Sequence, residues 1–311
     1  MKCDRCENGA AYIKKYSGQA LCSICFTKSL ARKAAKTVSK YNMIGRGDRV
    51  AVGVSGGKDS LVLLHILEQM SQKWGFELEA VTIDEGIPGY RDEALSIVEE
   101  YCGSLGVAHR VYAYKDLFDM TLDEALNMRG ENSQTSCSIC GTLRRRAMDH
   151  AIHDTGADVL ATAHNLDDTL QTFLINMISG DTDRIAWMDP DTSSNELRKI
   201  KPFCEIYESE IVFYAFANKI PFQAESCPHM DEGIRTELRI FLNSLEESHS
   251  GAKNSLYRSV MKVTEALRPE VHKERQQCPG CGNSCTGGVC SVCRTISGLR
   301  GTAQGEAPGT A

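Results

Sequence analysis

Short apolar, β-branched runs alternate with longer segments of helical periodicity through the middle of the chain. Each run is separated from the next by a segment long enough for a helix, and this alternation predicts an α/β fold with a parallel sheet covered by helices on both faces. In such sheets ligands bind at the carboxyl ends of the strands. The predicted strands are RVAVGVSGG (49–57), LEAVTID (78–84), HRVYAY (109–114), ADVLATAH (157–164) and a fifth candidate, IKPF (200–203).

Cysteine-rich segments at both ends flank this α/β region. The composition predicts five parts, with the polar tail expected to be disordered. These are an N-terminal four-cysteine zinc knuckle (1–28), a catalytic domain with a basic leading helix (29–245), a helical connector (246–276), a C-terminal four-cysteine zinc knuckle (277–297) and the tail (298–311).

The composition narrows the class of protein. With 311 residues, of which 42% are hydrophobic, the chain can bury a sizeable core. It has no apolar run of membrane-spanning length and no apolar signal segment at its beginning, so we expect a cytoplasmic protein that does not enter a membrane. In that compartment, 14 cysteines indicate metal binding or catalysis rather than disulfides.

Charge is distributed unevenly. The net charge is -6, yet residues 1–50 contain 11 Lys and Arg against 3 Asp and Glu. A helix predicted over Lys28–Tyr41 presents several cations on a common side. This side is either a solvated helix face or a surface that contacts RNA phosphates. Its cations are Lys28, Arg32, Lys33, Lys36 and Lys40.

Two cysteine quartets have the CxxC…CxxC spacing of closed, tetrahedral zinc sites. Bound zinc would supply the folding free energy that such short segments cannot obtain from a core. Cys285 lies inside the second quartet and has no assigned role. The quartets are Cys3, Cys6, Cys22 and Cys25, and Cys278, Cys281, Cys290 and Cys293.

A further CxxC pair, Cys137 and Cys140, has no second pair nearby. Cys102 lies in a helix-like apolar context and Cys204 follows the IKPF strand, so both are expected to be packing residues, whereas Cys227 follows an apparent strand on a loop. Three converging cysteines allow three interpretations: a structural zinc site with one ligand missing, a dithiol that passes sulfur through a disulfide, or three ligands of an iron–sulfur cluster with one open corner.

The segment VGVSGGKDS (52–60) places small residues between a predicted strand and a helix. Glycines allow close approach of the backbone to an anion, and the amides of the turn and of the helix N-terminus point toward it. The spacing differs from the Walker pattern, in which four residues separate the glycines. The segment predicts a phosphate-binding loop of another kind.

This loop matches SGGxDS and resembles the signature of the PP-loop ATP pyrophosphatase superfamily. The resemblance implies an ATP site in which the Ile83 backbone contacts adenine. In ATAHNLDDTLQT, which resembles the second motif of the superfamily, Asp168 would serve the phosphates or Mg²⁺, and the motif also favours a role for His164. The phosphate-binding residues would be Gly53, Ser55, Gly56, Gly57, Lys58, Asp59 and Ser60.

Over nearly its whole length the chain resembles the tRNA 2-thiouridine synthetases of the TtuA/NcsA type. The features that carry this resemblance are both terminal quartets, the phosphate loop, the CxxC pair before a basic run, the HNLDD motif and the late cysteine Cys227. The resemblance implies that Cys137, Cys140 and Cys227 hold an iron–sulfur cluster, with 4Fe-4S expected, or handle sulfur directly. It implies that Arg144 lies in the active site, where relatives have Lys.

The implied reaction is ATP-dependent adenylation of the uracil C2 oxygen of a tRNA, followed by its replacement with sulfur. The implied partners are tRNA, a sulfur donor (a ubiquitin-like thiocarboxylate protein or sulfide) and a second copy of the chain in a homodimer. Arg144 to Arg146 would add phosphate contacts. The alternatives are a tRNA cytidine thiolase, a lysidine-type amidating enzyme and a non-catalytic zinc-knuckle RNA-binding protein.

Overall fold

The computed structural model begins with a small cysteine-rich hairpin. Strands β1 (Tyr12–Lys14) and β2 (Gln19–Leu21) pair antiparallel, and helix α1 (Ser23–Lys40) follows directly. Cys22 is the N-cap of α1, and its sulfur accepts a hydrogen bond from the Cys25 amide at 3.4 Å. The structure describes residues 1–130, 134–194, 197–230, 234–268, 276–285 and 287–304.

A six-stranded sheet forms the centre of the molecule, in the order β5-β4-β3-β6-β8-β7. The first five strands run parallel, and β7 pairs antiparallel with β8 at one edge. The strands are β3 (Arg49–Gly53), β4 (Glu77–Asp84), β5 (Ala108–Ala113), β6 (Val159–Ala161), β7 (Asp191–Ser194) and β8 (Leu197–Ile200).

Helices cover both faces of this sheet, as predicted. On one face α1 packs with α2 (Lys58–Trp74), α3 (Tyr90–Leu105) and α9 (Glu208–Ala217) around a core that includes Leu30, Leu63 and Ile211. The other face is covered by α4 (Tyr114–Phe118), α5 (Leu122–Asn127) and α6 (Ser136–Thr155), with Leu143 and Leu160 in the core between them.

The remaining helices contribute to a separate apolar cluster and to the C-terminal part of the described chain. A third apolar cluster joins α7 (Leu166–Ile178), α8 (Thr182–Ala186), α10 (Arg235–Ser248) and α11 (Ala252–Leu267). The C-terminal part contains β9 (Gln276–Gln277), β10 (Ser284–Cys285) and α12 (Ser291–Gln304), and α12 packs on α6.

The α/β prediction is confirmed, and two local predictions are wrong. The fifth strand ends at Ile200 instead of beginning there, and Pro202, which lacks an amide donor, lies in the turn that follows. Helix α12 continues to Gln304, so residues 298–304 are helical and not a disordered tail, whereas 305–311 lie outside the described residues. Among the helices in the described ranges, none combines the length and the apolarity needed to cross a membrane.

Candidate active site

The phosphate loop joins β3 to α2 and is shaped by a glycine with positive φ. Gly56 has φ +87°, and a Cβ there would lie 2.8 Å from the Cβ of Ala94 on α3. Ser60 closes the loop because its hydroxyl accepts from the Ser55 amide at 3.1 Å and donates to the Gly57 carbonyl at 2.9 Å. Gly57, the N-cap of α2, has no capping side chain, so the amides of the first turn are available to an anion.

Carboxylates from three elements surround this loop. The Lys58 ammonium contacts Asp59 at 2.9 Å and Glu208 at 2.8 Å. The Asn165 side-chain amide donates to Asp59 at 3.3 Å, and Asp168 forms a capping box with Asn165. The pKa of Asp168 is raised to about 6, chiefly by burial and also by the negative charges of Asp59 and Glu208. Such a set of oxygen ligands suits a hard divalent cation.

Asp167, beside Asp168, faces away from the loop and holds Glu208 in place. Its carboxylate accepts from the Glu208 amide at 2.8 Å and forms a buried ion pair with Lys253 of α11. Asp167, the first acidic residue of HNLDD, is therefore a positioning residue. Glu208 itself was missed by the sequence analysis, because 150 residues separate it from Lys58 and no motif marks it.

The three cysteines of the predicted sulfur site line one cavity of 310 Å³. Cys137 and Cys140 lie one turn apart at the beginning of α6, and Cys227 reaches the same cavity from the loop after α9. Cys137 is exposed, whereas the other two are half-buried. Ser55 of the phosphate loop lines this cavity as well, so the predicted sulfur and phosphate sites adjoin.

Contacts to the phosphate loop explain how Cys227 reaches the cavity. The Gln223 amide donates to the Gly56 carbonyl at 3.0 Å, and its side chain donates to the Tyr90 carbonyl at 2.7 Å. Farther along, His229 contacts Asp123 of α5 at 2.8 Å. The segment that carries Cys227 is thus anchored on both sides.

A buried arginine connects the phosphate loop to the end of β4. Arg91 is 4% exposed and donates to the carbonyls of Ser55 at 2.9 Å and Ile83 at 2.7 Å. It also forms an ion pair with Glu85 at 2.9 Å. The Ile83 carbonyl is therefore already occupied, and the predicted contact of this residue with adenine stays a prediction.

Glu85 carries the connection onward to the cysteines. Its second carboxylate oxygen pairs with Arg144 at 2.7 Å, and the Arg144 guanidinium lies 3.3 Å from the Cys140 sulfur. Burial raises the pKa of the Cys140 thiol, and the charge of Arg144 opposes that shift. Tyr114 donates to the Cys140 carbonyl at 2.8 Å and fixes this turn of α6. Two guanidinium groups and one carboxylate thus join the two sites.

A larger cleft of 1020 Å³ lies on the other side of Cys137. Asp168 and His164 line it together with Cys137, so it reaches from the phosphate side to the sulfur side. The pKa of His164 is lowered to about 4, chiefly by enclosure in the cleft and also by the positive charges of Lys201 and Arg235. His164 is therefore neutral near pH 7 and can accept or donate a hydrogen bond there.

Comparison with known proteins agrees with this geometry. A family model described as a PP-loop domain matches residues 26–246. The tRNA 2-thiolation protein NcsA of Haloferax volcanii is 33% identical over 96% of this chain and 99% of its own length. The chain belongs to the PP-loop family of tRNA 2-thiolation proteins. Its phosphate loop is accordingly an ATP-binding loop.

Two further relatives support the assignment. The cytoplasmic tRNA 2-thiolation protein 1 of Caenorhabditis briggsae is 34% identical over 94% of this chain and 79% of its own length. The solved structure of the U34-tRNA thiolase NcsA from Methanococcus maripaludis, with its 4Fe-4S cluster, superposes with a TM-score of 0.81 at 29% identity, covering 95% of both chains.

Both terminal quartets of this family member have the geometry of metal sites. In each quartet the four sulfurs lie within 4.8 Å of one another. Within the described ranges no other Cys, His or acidic group is that compact, so Cys137, Cys140 and Cys227 are more widely spaced. Cys102 and Cys204 are each 1% exposed, as expected of packing residues.

Two cations of the basic helix α1 form ion pairs with carboxylates of the protein. Lys33 pairs with the buried Glu210 at 3.4 Å, and Lys40 pairs with Glu205 at 2.6 Å. The remaining cations of α1 stay candidates for RNA contact; they are Lys28, Arg32 and Lys36.

Within the arginine run, the three side chains point to different sites. Arg146 binds the sulfurs of Cys281 at 3.3 Å and Cys290 at 3.6 Å, so it supports the C-terminal quartet instead of contacting phosphates as predicted. Of the three, Arg145 lines the large cleft.

Proposed function

We propose that this protein uses ATP to replace the C2 oxygen of a tRNA uridine with sulfur. One observation carries the proposal: Ser55 of the ATP loop and Cys137, Cys140 and Cys227 line a single cavity. A thiolase must activate an oxygen with ATP and deliver sulfur to the same carbon, so it requires these two sites side by side.

The phosphate loop would hold the triphosphate. The amides around Gly56 and Gly57 and the N-terminus of α2 supply hydrogen-bond donors, and Lys58 supplies a charge once it leaves its carboxylate partners. Asp59 and Asp168 would hold Mg²⁺, which uses carboxylates together with phosphate oxygens. Their burial beside the loop supports this role.

The reaction would proceed in two displacements. The uracil O2 attacks the α-phosphorus, the bond to the β-phosphate oxygen breaks, and pyrophosphate leaves with that bonding pair. A sulfide-level sulfur then attacks C2, and the C2–O bond breaks as AMP leaves with its electrons. Arg144, whose guanidinium lies beside the Cys140 sulfur, would stabilise negative charge that develops near the reacting carbon.

The three cysteines fit a multi-iron group better than a third zinc ion. Their sulfurs share one cavity, yet they lie farther apart than the sulfurs of the two terminal quartets. The M. maripaludis relative carries a 4Fe-4S cluster. With three protein thiolates, such a cluster would leave one iron free to bind sulfur. The chain's part is to hold the three thiolates and keep Arg144 close.

The finer assignments rest on the relatives and on ligand chemistry. The two quartets would bind Zn²⁺, for which four thiolates are the usual structural ligands. The target would be the wobble uridine, as the name of the U34-tRNA thiolase indicates, and the cytoplasm would be the site of action, as the name of the C. briggsae relative indicates. The homodimer and the choice of sulfur donor stay predictions.

Nucleoside mass spectrometry tests the proposal. Anaerobically purified protein, unmodified tRNA, Mg·ATP and sulfide should yield 2-thiouridine with release of pyrophosphate and AMP. Cys227→Ala should abolish the thiolated nucleoside, and Cys204→Ala, which changes a buried packing cysteine, is the matched control. Formation of 2-thiocytidine, or RNA binding without any AMP release, would contradict the proposal.

A further inference from the structure

The large cleft beside Cys137 concentrates positive charge. Five cations from different parts of the chain line it, and among the described residues of its wall Asp168 is the only carboxylate. They come from α6, α8, the segment after β8, α10 and α12. The cations are Arg145, Arg184, Lys201, Arg235 and Arg294.

Most of this charge is not neutralised within the described chain. Arg184 pairs with Asp181 at 3.1 Å, but three of the others contact neutral oxygens. Arg145 donates to a threonine hydroxyl at 3.3 Å, Arg235 to another at 3.2 Å, and Lys201 to a backbone carbonyl at 3.1 Å. Several unneutralised cations in a concave site favour a ligand with several negative charges.

An exposed indole lies among these cations. Trp187 follows α8 and is 51% exposed, whereas its neighbour Met188 is 7% exposed and packs in the third apolar cluster. The other tryptophan of the chain, Trp74, packs against the main core. Aromatic faces beside cations are the usual means by which proteins bind unpaired bases and the phosphates that link them.

We infer that this cleft binds the RNA strand around the reacting base, with Trp187 stacking on a neighbouring base and Arg145, Lys201 and Arg235 contacting phosphates. The inference rests on the proposed function, which requires an RNA substrate between Asp168 and Cys137. The volume of 1020 Å³ lies at the upper limit of small-molecule sites, which span about 300–1,000 Å³, as expected for a segment of a polymer.

Intrinsic fluorescence tests the inference directly, because the chain has two tryptophans. In a Trp74→Phe variant, Trp187 is the sole indole, and unmodified tRNA should quench its emission. Inorganic polyphosphate supplies charge without bases, so it should bind with little quenching. Equal quenching by both probes, or none by tRNA, would overturn the stacking role.

Affinity measurements complete the test. Trp187→Ala should weaken tRNA binding about 5- to 150-fold, and Trp187→Phe should retain most of the affinity because it keeps an aromatic face. Arg235→Gln should lower the slope of log affinity against log salt by about 1, whereas Lys262→Gln, at an exposed cation outside the cleft, should leave affinity and slope unchanged. Unchanged affinity in both Trp187→Ala and Arg235→Gln would overturn the inference.

These outcomes separate the cleft from the proposed reaction. Quenching and salt dependence as expected, without any thiolated nucleoside, would leave the RNA site standing and reject the reaction. If Trp187→Ala thiolates tRNA normally when tRNA is limiting, the proposed reaction stands and the inferred RNA site in the cleft is rejected. Retained ATP binding by each variant would show that it is folded.

Discussion

Replacing Glu85 by Gln removes the buried charge that joins the ATP loop to the cysteines. The carboxylate is 5% exposed and pairs with Arg91, also buried, and with Arg144, which is half-exposed. The variant preserves side-chain size but leaves two guanidinium groups without their counter-charge. Arg91 keeps its hydrogen bonds to the carbonyls of Ser55 and Ile83, so these backbone contacts offset part of the cost of burying its unpaired guanidinium.

The two ion pairs should contribute very differently to stability. Leaving a buried charge unpaired costs about 3–5 kcal/mol, and the carbonyl contacts of Arg91 favour the lower limit, about 3 kcal/mol. The half-exposed Arg144 pair should contribute about 0–1 kcal/mol because water screens it. At roughly 2–3 °C per kcal/mol for a chain of this size, Glu85→Gln should lower Tm by about 6–9 °C. On the same scale, Arg144→Gln should lower it by about 3 °C or less.

Thermal unfolding of protein with matched metal content measures these shifts, and ATP titration measures the effect on the loop. We expect weaker ATP binding in Glu85→Gln, because Arg91 keeps its contact with the Ser55 carbonyl but loses the carboxylate that orients its guanidinium, and near-normal ATP binding in Arg144→Gln. Glu85→Asp, which restores the charge, should recover part of the loss. A Tm within about 2 °C of wild type together with unchanged ATP affinity in Glu85→Gln would refute the role assigned to this connection.

Three other predictions concern RNA binding, the loop and pH. Lys36→Glu should weaken tRNA binding and flatten its salt dependence, and equal tRNA affinity in this variant and wild type would contradict the prediction. Lys33→Glu should chiefly lower Tm, because Lys33 neutralises a buried carboxylate. Gly56→Ala should reduce ATP affinity by roughly tenfold or more because its Cβ would clash with α3, and Gly57→Ala, whose Cβ meets its nearest contact at 3.5 Å, should have a milder effect in the same titration. The folded pKa of His164, about 4, lies below its ordinary 6.5, so the unfolded chain takes up the proton first. The contribution of His164 to stability should therefore fall between about pH 6.5 and 4, and unfolding curves of His164→Asn should lack that part of the pH dependence.

Local patterns predicted the sheet because each parallel strand is a compact apolar run followed by a helix. The phosphate loop was equally clear, since its residues are contiguous and its chemistry is carried by the backbone. Cys227 is separable from Cys102 and Cys204 because it lies on a loop before Pro228, whereas Cys102 lies in a helical segment and Cys204 follows a predicted strand. These features depend on a few adjacent positions, which a sequence displays directly.

Long-range pairing accounts for what the sequence did not reveal. No motif marks Glu85 or Glu208, and their importance appears only when Arg144 and Lys58 are brought beside them. Lys33 resembles its neighbours on α1 until α9 places a buried carboxylate against it. In each case burial and a distant partner, rather than residue type, decide the role.

Metal and sulfide analysis of anaerobically purified protein tests the central claim, that the three cysteines form the sulfur site, most directly. Wild type should contain about four iron with acid-labile sulfide and about two zinc per chain. Cys137→Ala, Cys140→Ala and Cys227→Ala should each lose the iron and retain the zinc. Zinc without iron in the wild type, or iron retained in all three variants, would contradict the account.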